Sequence, residues 1–444
     1  MAQSDTALAK LLRKITTIND NEVKAAVLSF SFVFILMAAY YILRPVRDAL
    51  ASDWTDAEVS FLWTLNFFIS TGIVAAYGLA VAKMPFRKLV PAIYTFFAAS
   101  FVVFYLAVQG VSDGVLIDKA FYLWVSVFAL FHVSVFWSFM ADTFNKDQAG
   151  RLFAIIAAGA SLGAIVGPLI SGLFASRIGV ENLMLISAVM LMLPIPIILY
   201  LGKLKVTELK NPDLQFDAAK NAIGGNPFGG FKAFFSNPYL LGIGIFIILY
   251  TGIGSFVYLE QKNLLAPYDV ETRTAIYGYR DAVLNTLTYV LAFFVTGRIV
   301  SKLGMPVALP LMPVLVIAGM LILAFSPLLI VAVGLHVVSK AGNYGLTRPA
   351  REMLFTQVSR EDRFKAKPVI DIVAYRGGDV IMGWFFTGLT QGLGLGLAAV
   401  AAVGAGIAAL WAFTGLLLGR RYEATATDSA PADGSASASK APAT

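Results

Sequence analysis

Long apolar runs recur along the whole chain, starting with Ala25 to Leu43, and each is long enough to cross a bilayer as a helix. Lipid offers no hydrogen bonds to an open backbone, so helix is the default for every such run. Only 14% of the 444 residues are charged and 58% are hydrophobic, so a soluble surface of this size could not be covered. Windows of about twenty residues predict spans at 24–48, 57–81, 87–109, 117–143, 152–176 and 182–202. Six more are predicted at 238–261, 274–300, 305–326, 328–352, 367–391 and 394–419. The predicted fold class is an all-α integral membrane protein of about twelve transmembrane helices, with the lipid bilayer as its first partner.

The residues that are missing narrow the function. With no cysteine, disulfides, thiolate metal sites and cysteine nucleophiles are excluded. The two histidines, His132 and His336, are too far apart in sequence to suggest a metal site, so neither metal nor cofactor is expected. No phosphate-binding glycine loop, His-Glu-x-x-His or nucleophile elbow is present, and the chain is not read as an enzyme. The net charge of +7 is read as cationic loops on one membrane face and not as nucleic-acid binding. Lys10, Arg13, Lys14 and Lys24 precede the first span, and Lys83, Arg87 and Lys88 follow the second. Lys203, Lys205, Lys210, Lys220 and Lys232 fill the longest loop, Arg360, Arg363, Lys365 and Lys367 follow the tenth span, and Arg420 and Arg421 follow the last. All fall on one side, which predicts that both termini are cytoplasmic. The first apolar run is longer than a signal h-region, and an Arg- and Ser-rich transit segment is missing, so a bacterial inner membrane is expected. Separately, a monomer is the starting expectation.

The chain divides in two. Residues 1–23 form a polar leader, 24–202 one six-helix half, 203–236 a central loop, 237–420 the second half and 421–444 an Ala/Ser/Pro/Thr-rich tail expected to be disordered. Phe231, Lys232, Phe234 and Phe235 suggest a short interfacial helix before Asn237-Pro238. The two halves repeat. GLAVAKMPFRK at 78–88 and GRIVSKLGMP at 297–306 close equivalent hairpins, and Arg151 aligns with Arg363. Both loops resemble the Gly-x-x-x-Asp-Arg-x-Gly-Arg-Arg-Lys signature of the major facilitators, with Ala82 and Ser301 in place of its aspartate. Two pseudo-symmetric halves of six helices is that family's plan, and it implies a substrate site midway between them. Gly159, Gly163, Gly167, Pro168 and Gly172 in span five resemble the Gly-x-x-x-Gly-Pro motif of facilitator antiporters, although close helix packing explains the same spacing.

Charge inside a span is costly and marks an interior or watery face. Tyr40, Arg44 and Arg47 share one stripe of span one, beside Tyr41 and Asp48. Span eight carries Tyr277, Arg280, Asp281, Asn285 and Tyr289, and span seven Glu260. In span ten His336, Lys340, Tyr344, Thr347 and Arg351 follow at helical spacing; in span eleven come Asp371, Tyr375, Arg376 and Asp379. Such a set suits a cavity where arginine and lysine hold phosphate or carboxylate and tyrosines stack on a planar base. Internal ion pairs such as Arg376 with Asp379 would use the same residues structurally.

Two stretches then carry a resemblance. Tyr41-Ile42-Leu43-Arg44-Pro45-Val46-Arg47-Asp48 resembles the first-helix signature of the ATP/ADP translocases of plastids and intracellular bacteria. Asn343-Tyr344-Gly345-Leu346-Thr347-Arg348-Pro349-Ala350-Arg351-Glu352-Met353, with Lys365, Lys367, Ile370, Asp371 and Arg376 beyond it, is similar to the same family's segment from span ten into span eleven. The resemblance implies a nucleotide antiporter, with Arg47, Glu260 and Arg351 at positions the family uses in transport. The cations lie on polar helical stripes, and such sites form between repeats. Arg47 and Arg351 are therefore expected to face one cavity from opposite halves, helped by Arg44, Lys340 and Arg280, with Glu260 gating it or pairing with one of those cations when the site is empty. Two other readings stay open: a proton-coupled facilitator of another metabolite using Asp281, Asp371 or Asp379, and a non-transporting receptor or regulator on the same fold.

Overall fold

The computed structural model describes residues 17–84, 86–110, 114–211, 234–294, 302, 304–359, 367, 370 and 374–428. Arg363, Asp371, Phe231, Lys232 and most of the loop at 297–306 lie outside the described residues. The described residues are all helical or connecting, without strands. Nine helices among them are long and apolar enough to cross a membrane. In chain order these are Asp20–Asp53, Arg87–Gly110, Val115–Thr143, Lys146–Ile178, Val180–Thr207, Pro238–Leu265, Met305–Phe325, Leu329–Gln357 and Leu397–Thr425. The second, eighth and eleventh spans complete twelve, as Asp56–Lys83, Val270–Phe294 and Tyr375–Thr387, the last continued by a π-turn at Gly388–Gly392. Val270–Phe294 carries Glu271, Arg273, Arg280 and Asp281, a charge load suited to the protein interior and not to lipid.

Span starts follow local chemistry. Asn19 and Glu22 form a capping box ahead of span one, and Asn145 with Gln148 forms another ahead of span five. Arg151 then donates to Glu22 at 2.7 Å, tying spans one and five together at that end. Span six breaks between Met192 and Pro194, where proline cannot supply the next helical hydrogen bond. The last helix runs to Asp428, beyond the expected start of the disordered tail. The Glu423 carboxylate accepts from the Met305 backbone N–H at 3.1 Å, anchoring the extension to the start of span nine.

Span one packs on span five, and span nine on span twelve. The halves meet where span five packs on span eight and span two on span eleven, two contacts that a two-fold axis between the halves would exchange. The glycines of span five serve these approaches. A Cβ on Gly163 would lie 2.9 Å from Met37 Cβ and 3.0 Å from the Ala38 nitrogen. Across the halves, one on Gly278 would lie 2.6 Å from both the Gly172 nitrogen and the Pro168 oxygen.

Candidate functional site

A cavity of about 630 Å³ lies between the halves. From the first half, span one contributes Arg44, Arg47 and Asp48, span two Trp63, Asn66 and Phe67, and span four Tyr122, Ser126, Ala129 and Leu130. From the second, span seven contributes Gly254, Ser255 and Tyr258, span ten His336, Lys340, Tyr344 and Arg348, and span eleven Tyr375, Arg376, Asp379 and Val380. Five cations against two carboxylates give the lining a net charge of +3.

Behind the wall at spans one and eight, five charges alternate. Arg47 pairs with Asp48 at 2.7 Å, and Asp48 also takes Arg280 at 3.2 Å from span eight. Arg280 pairs in turn with Asp281 at 2.7 Å, and Asp281 with Arg44 at 3.3 Å. Each carboxylate thus sits between two guanidiniums, and two of the four pairs cross between the halves. Asp48, Arg280 and Asp281 are buried, where an unpaired charge would cost several kcal/mol, about 3–5 by the usual range. Arg280 also lies over the Tyr277 ring at 4.5 Å, and Arg47 over Tyr122 at 5.3 Å. Ser126 accepts from Arg47 Nη1 at 3.3 Å.

The other wall is different. Lys340, Arg348 and Arg376 have no carboxylate within 4.0 Å among the described residues. Asp379 accepts from the Ser255 hydroxyl at 3.3 Å, and Lys340 Nζ lies over the Tyr250 ring at 5.3 Å. Neither ring nitrogen of His336 has a hydrogen-bond partner among the described residues, although the side chain is buried at the cavity edge.

Of the residues singled out by sequence, the structure brings Arg44, Arg47, Lys340, Tyr344, Arg376 and Asp379 to this cavity. Tyr41, Glu260, Arg280, Asp281 and Arg351 lie outside its lining, and Asp371 lies outside the described residues. Tyr41 lies under Arg44 at 5.6 Å. Glu260 is fully buried with neither carboxylate oxygen hydrogen-bonded among the described residues. Arg351, expected to face Arg47 across the cavity, is instead buried, paired with Glu352 at 2.9 Å and 3.4 Å from the Tyr375 hydroxyl. The physical reason is a π-turn at Asn343–Thr347. It inserts one residue into the helical register, so Arg348 continues the line His336, Lys340, Tyr344 and Arg351 rotates away. Pro349 clashes with the carbonyl four residues back in a regular α-helix, and Gly345 lets the widened turn lie against span eight, where a Cβ would come 2.7 Å from Leu291 Cβ. Sequence reasoning also missed Trp63, Tyr122 and Tyr258, since aromatics in a span look like ordinary packing.

One end of the inter-half interface is closed by polar contacts. Lys262 donates to Asp56 at 2.9 Å and to the Trp54 carbonyl at 2.6 Å, and Asn263 and Thr390 donate to the same carboxylate. Arg273 pairs with Asp53 at 2.6 Å, and the Ser60 and Thr387 hydroxyls lie 3.0 Å apart. These pairs gather at the end that carries the turns at 51–55 and 266–269.

The family model described as Major Facilitator Superfamily matches residues 28–366. No curated protein matches the sequence. Among solved structures, a bacterial homolog of the human lysosomal transporter Spinster, inward-facing and unoccupied, aligns with TM-score 0.57 at 15% identity, covering 93% of this chain and 98% of that one. The nucleoside transporter NupG aligns with TM-score 0.63 at 12% identity, covering 90% and 99%. At such identities the likeness is one of fold.

Proposed function

The chain belongs to the Major Facilitator Superfamily, and we propose that it exchanges an anionic, phosphorylated or nucleotide-like solute across a bacterial inner membrane. The observation that carries this reading is the net +3 lining of a cavity between the halves. Cations in such a partly water-excluded site bind phosphate oxygens strongly, and guanidinium does so with two parallel hydrogen bonds. Aromatic rings line the same space, with Trp63, Phe67 and Tyr122 on one wall and Tyr344 and Tyr375 on the other, so a planar base can stack beside the charge. NupG is a nucleoside transporter. A nucleoside lacks the phosphate that this cavity's charge favours, so we assign a phosphorylated solute here.

We place both termini in the cytoplasm, from the basic loops. The closed end at 51–55 and 266–269 then faces the periplasm. Purified protein in liposomes should take up labelled ADP or ATP only when the lumen holds unlabelled nucleotide, with no dependence on a pH gradient. Uptake that follows the pH gradient and ignores internal nucleotide would replace exchange with proton coupling. If no phosphorylated solute is taken up, the reading fails. A reporter fused after Thr444 that works only in the periplasm would overturn the orientation.

A further inference from the structure

We infer that Arg348, with Lys340 and Arg376, forms the subsite that takes a diphosphate or triphosphate group of the solute; the inference rests on the anionic-solute reading above. The cavity's cations are not equivalent. Arg44 and Arg47 are each held by a carboxylate, at 3.3 Å and 2.7 Å. An anion reaching them competes with Asp281 and Asp48. Lys340, Arg348 and Arg376 line the same cavity with no carboxylate within 4.0 Å among the described residues. Asp379, the one acid lining their wall among the described residues, accepts from the Ser255 hydroxyl. Among the described residues, the cavity's cations that are not held in an ion pair are therefore concentrated on spans ten and eleven, with Asp379 as a nearby but unpaired carboxylate. An incoming anion is stabilised there without breaking an ion pair.

The shape of this wall selects among anions. Lys340, Tyr344 and Arg348 follow one another at intervals of four along span ten, so the two cations stand two helical turns apart along the axis, on the order of 10 Å, with a tyrosine between them. Arg376 adds a third cation from the neighbouring span. A chain of phosphates meets several separated cations, whereas one phosphate cannot. Arg348 holds its place because of the π-turn at Asn343–Thr347, and π-turns are frequent at functional sites. Tyr344 and Arg348 are both exposed to the cavity, open to an incoming group, whereas Arg351 is already buried against Glu352 and Tyr375.

The test compares Arg348→Gln with Arg351→Gln, using pyrophosphate as the probe. Binding of pyrophosphate and of ADP is measured by calorimetry on purified full-length protein, with thermal melting to show that each variant is folded. Arg348→Gln should weaken pyrophosphate about thirtyfold or more, by the usual range for removing one partner of a water-poor charge contact, and Arg348→Lys should recover part of it. Arg351→Gln should leave pyrophosphate affinity unchanged even where its melting point falls. If Arg348→Gln binds pyrophosphate as the parent does, or Arg351→Gln is the variant that loses it, the subsite is wrong while the anionic reading stands. If the parent protein itself binds neither pyrophosphate nor ADP, the anionic reading falls and the subsite with it.

Discussion

Arg44 Nε stands 3.3 Å from Asp281 Oδ2, an ion pair between span one of the first half and span eight of the second. It ends the alternating series Arg47, Asp48, Arg280, Asp281, Arg44, in which the Asp48–Arg280 pair also crosses between halves. Five charges with a net of +1 would be prohibitive singly in lipid, and mutual pairing makes them tolerable. Removing one carboxylate should therefore do more harm than its single contact suggests. Asp281→Asn leaves Arg44, Arg47 and Arg280 with Asp48 as the one carboxylate of the series, and should lower stability by about 3–5 kcal/mol, the usual cost of a broken buried pair. Thermal melting in detergent reads this directly. Arg44→Met added to Asp281→Asn should cost less than the two separate losses, because the second change removes a charge the first had stranded. Additive losses would mean that the two side chains are not energetically coupled.

A second expectation concerns the base. Trp63 donates from Nε1 to the Tyr122 hydroxyl at 2.7 Å, and its ring centroid lies 5.6 Å from that of Tyr258, so the indole is held in place at the cavity wall. Stacking of a nucleobase on such a ring is worth about 1–3 kcal/mol, so Trp63→Leu should weaken ADP about five- to a hundredfold. Pyrophosphate, having no base, should bind as before. A parallel loss of both ligands would assign Trp63 to packing instead of recognition.

The architecture was legible from the first apolar run onward because lipid permits few folds, and the arrangement in halves was legible from two matched hairpins. Within the cavity, legibility stopped where the helix departs from 3.6 residues per turn. Periodicity assigned Arg351 to the face of His336, Lys340 and Tyr344, and a single π-turn gave that face to Arg348. Asp281 and Arg280 were recognised as interior charges, but nothing in their spacing indicates that their partners are Asp48 and Arg44, more than two hundred residues away. Sequence periodicity gives faces, and only tertiary structure gives partners. The glycines of span five, open to two explanations by spacing, lie in close helix contacts on both sides.

The third expectation tests movement at the closed end. Ser60 of span two and Thr387 of span eleven lie with their hydroxyls 3.0 Å apart, on opposite halves and near the Asp56–Lys262 pair. The chain has no cysteine, so Ser60→Cys with Thr387→Cys introduces the only two thiols. Oxidation by a mild copper reagent should join them as a disulfide, since side chains this close need little movement to meet bonding geometry. If solute passes by alternate opening of the two ends, the oxidised variant must hold the 51–55 end shut and stop exchange in liposomes, and dithiothreitol should restore it. Each single-cysteine variant should be insensitive to the oxidant. Adding Asp56→Ala to the reduced double variant should slow cross-linking, because Lys262 loses its carboxylate and the closed state loses about 3–5 kcal/mol of pairing, the range for one buried partner removed. Full exchange by a fully cross-linked protein would show that this end never opens during transport, and that the polar contacts between 51–55 and span seven are permanent struts.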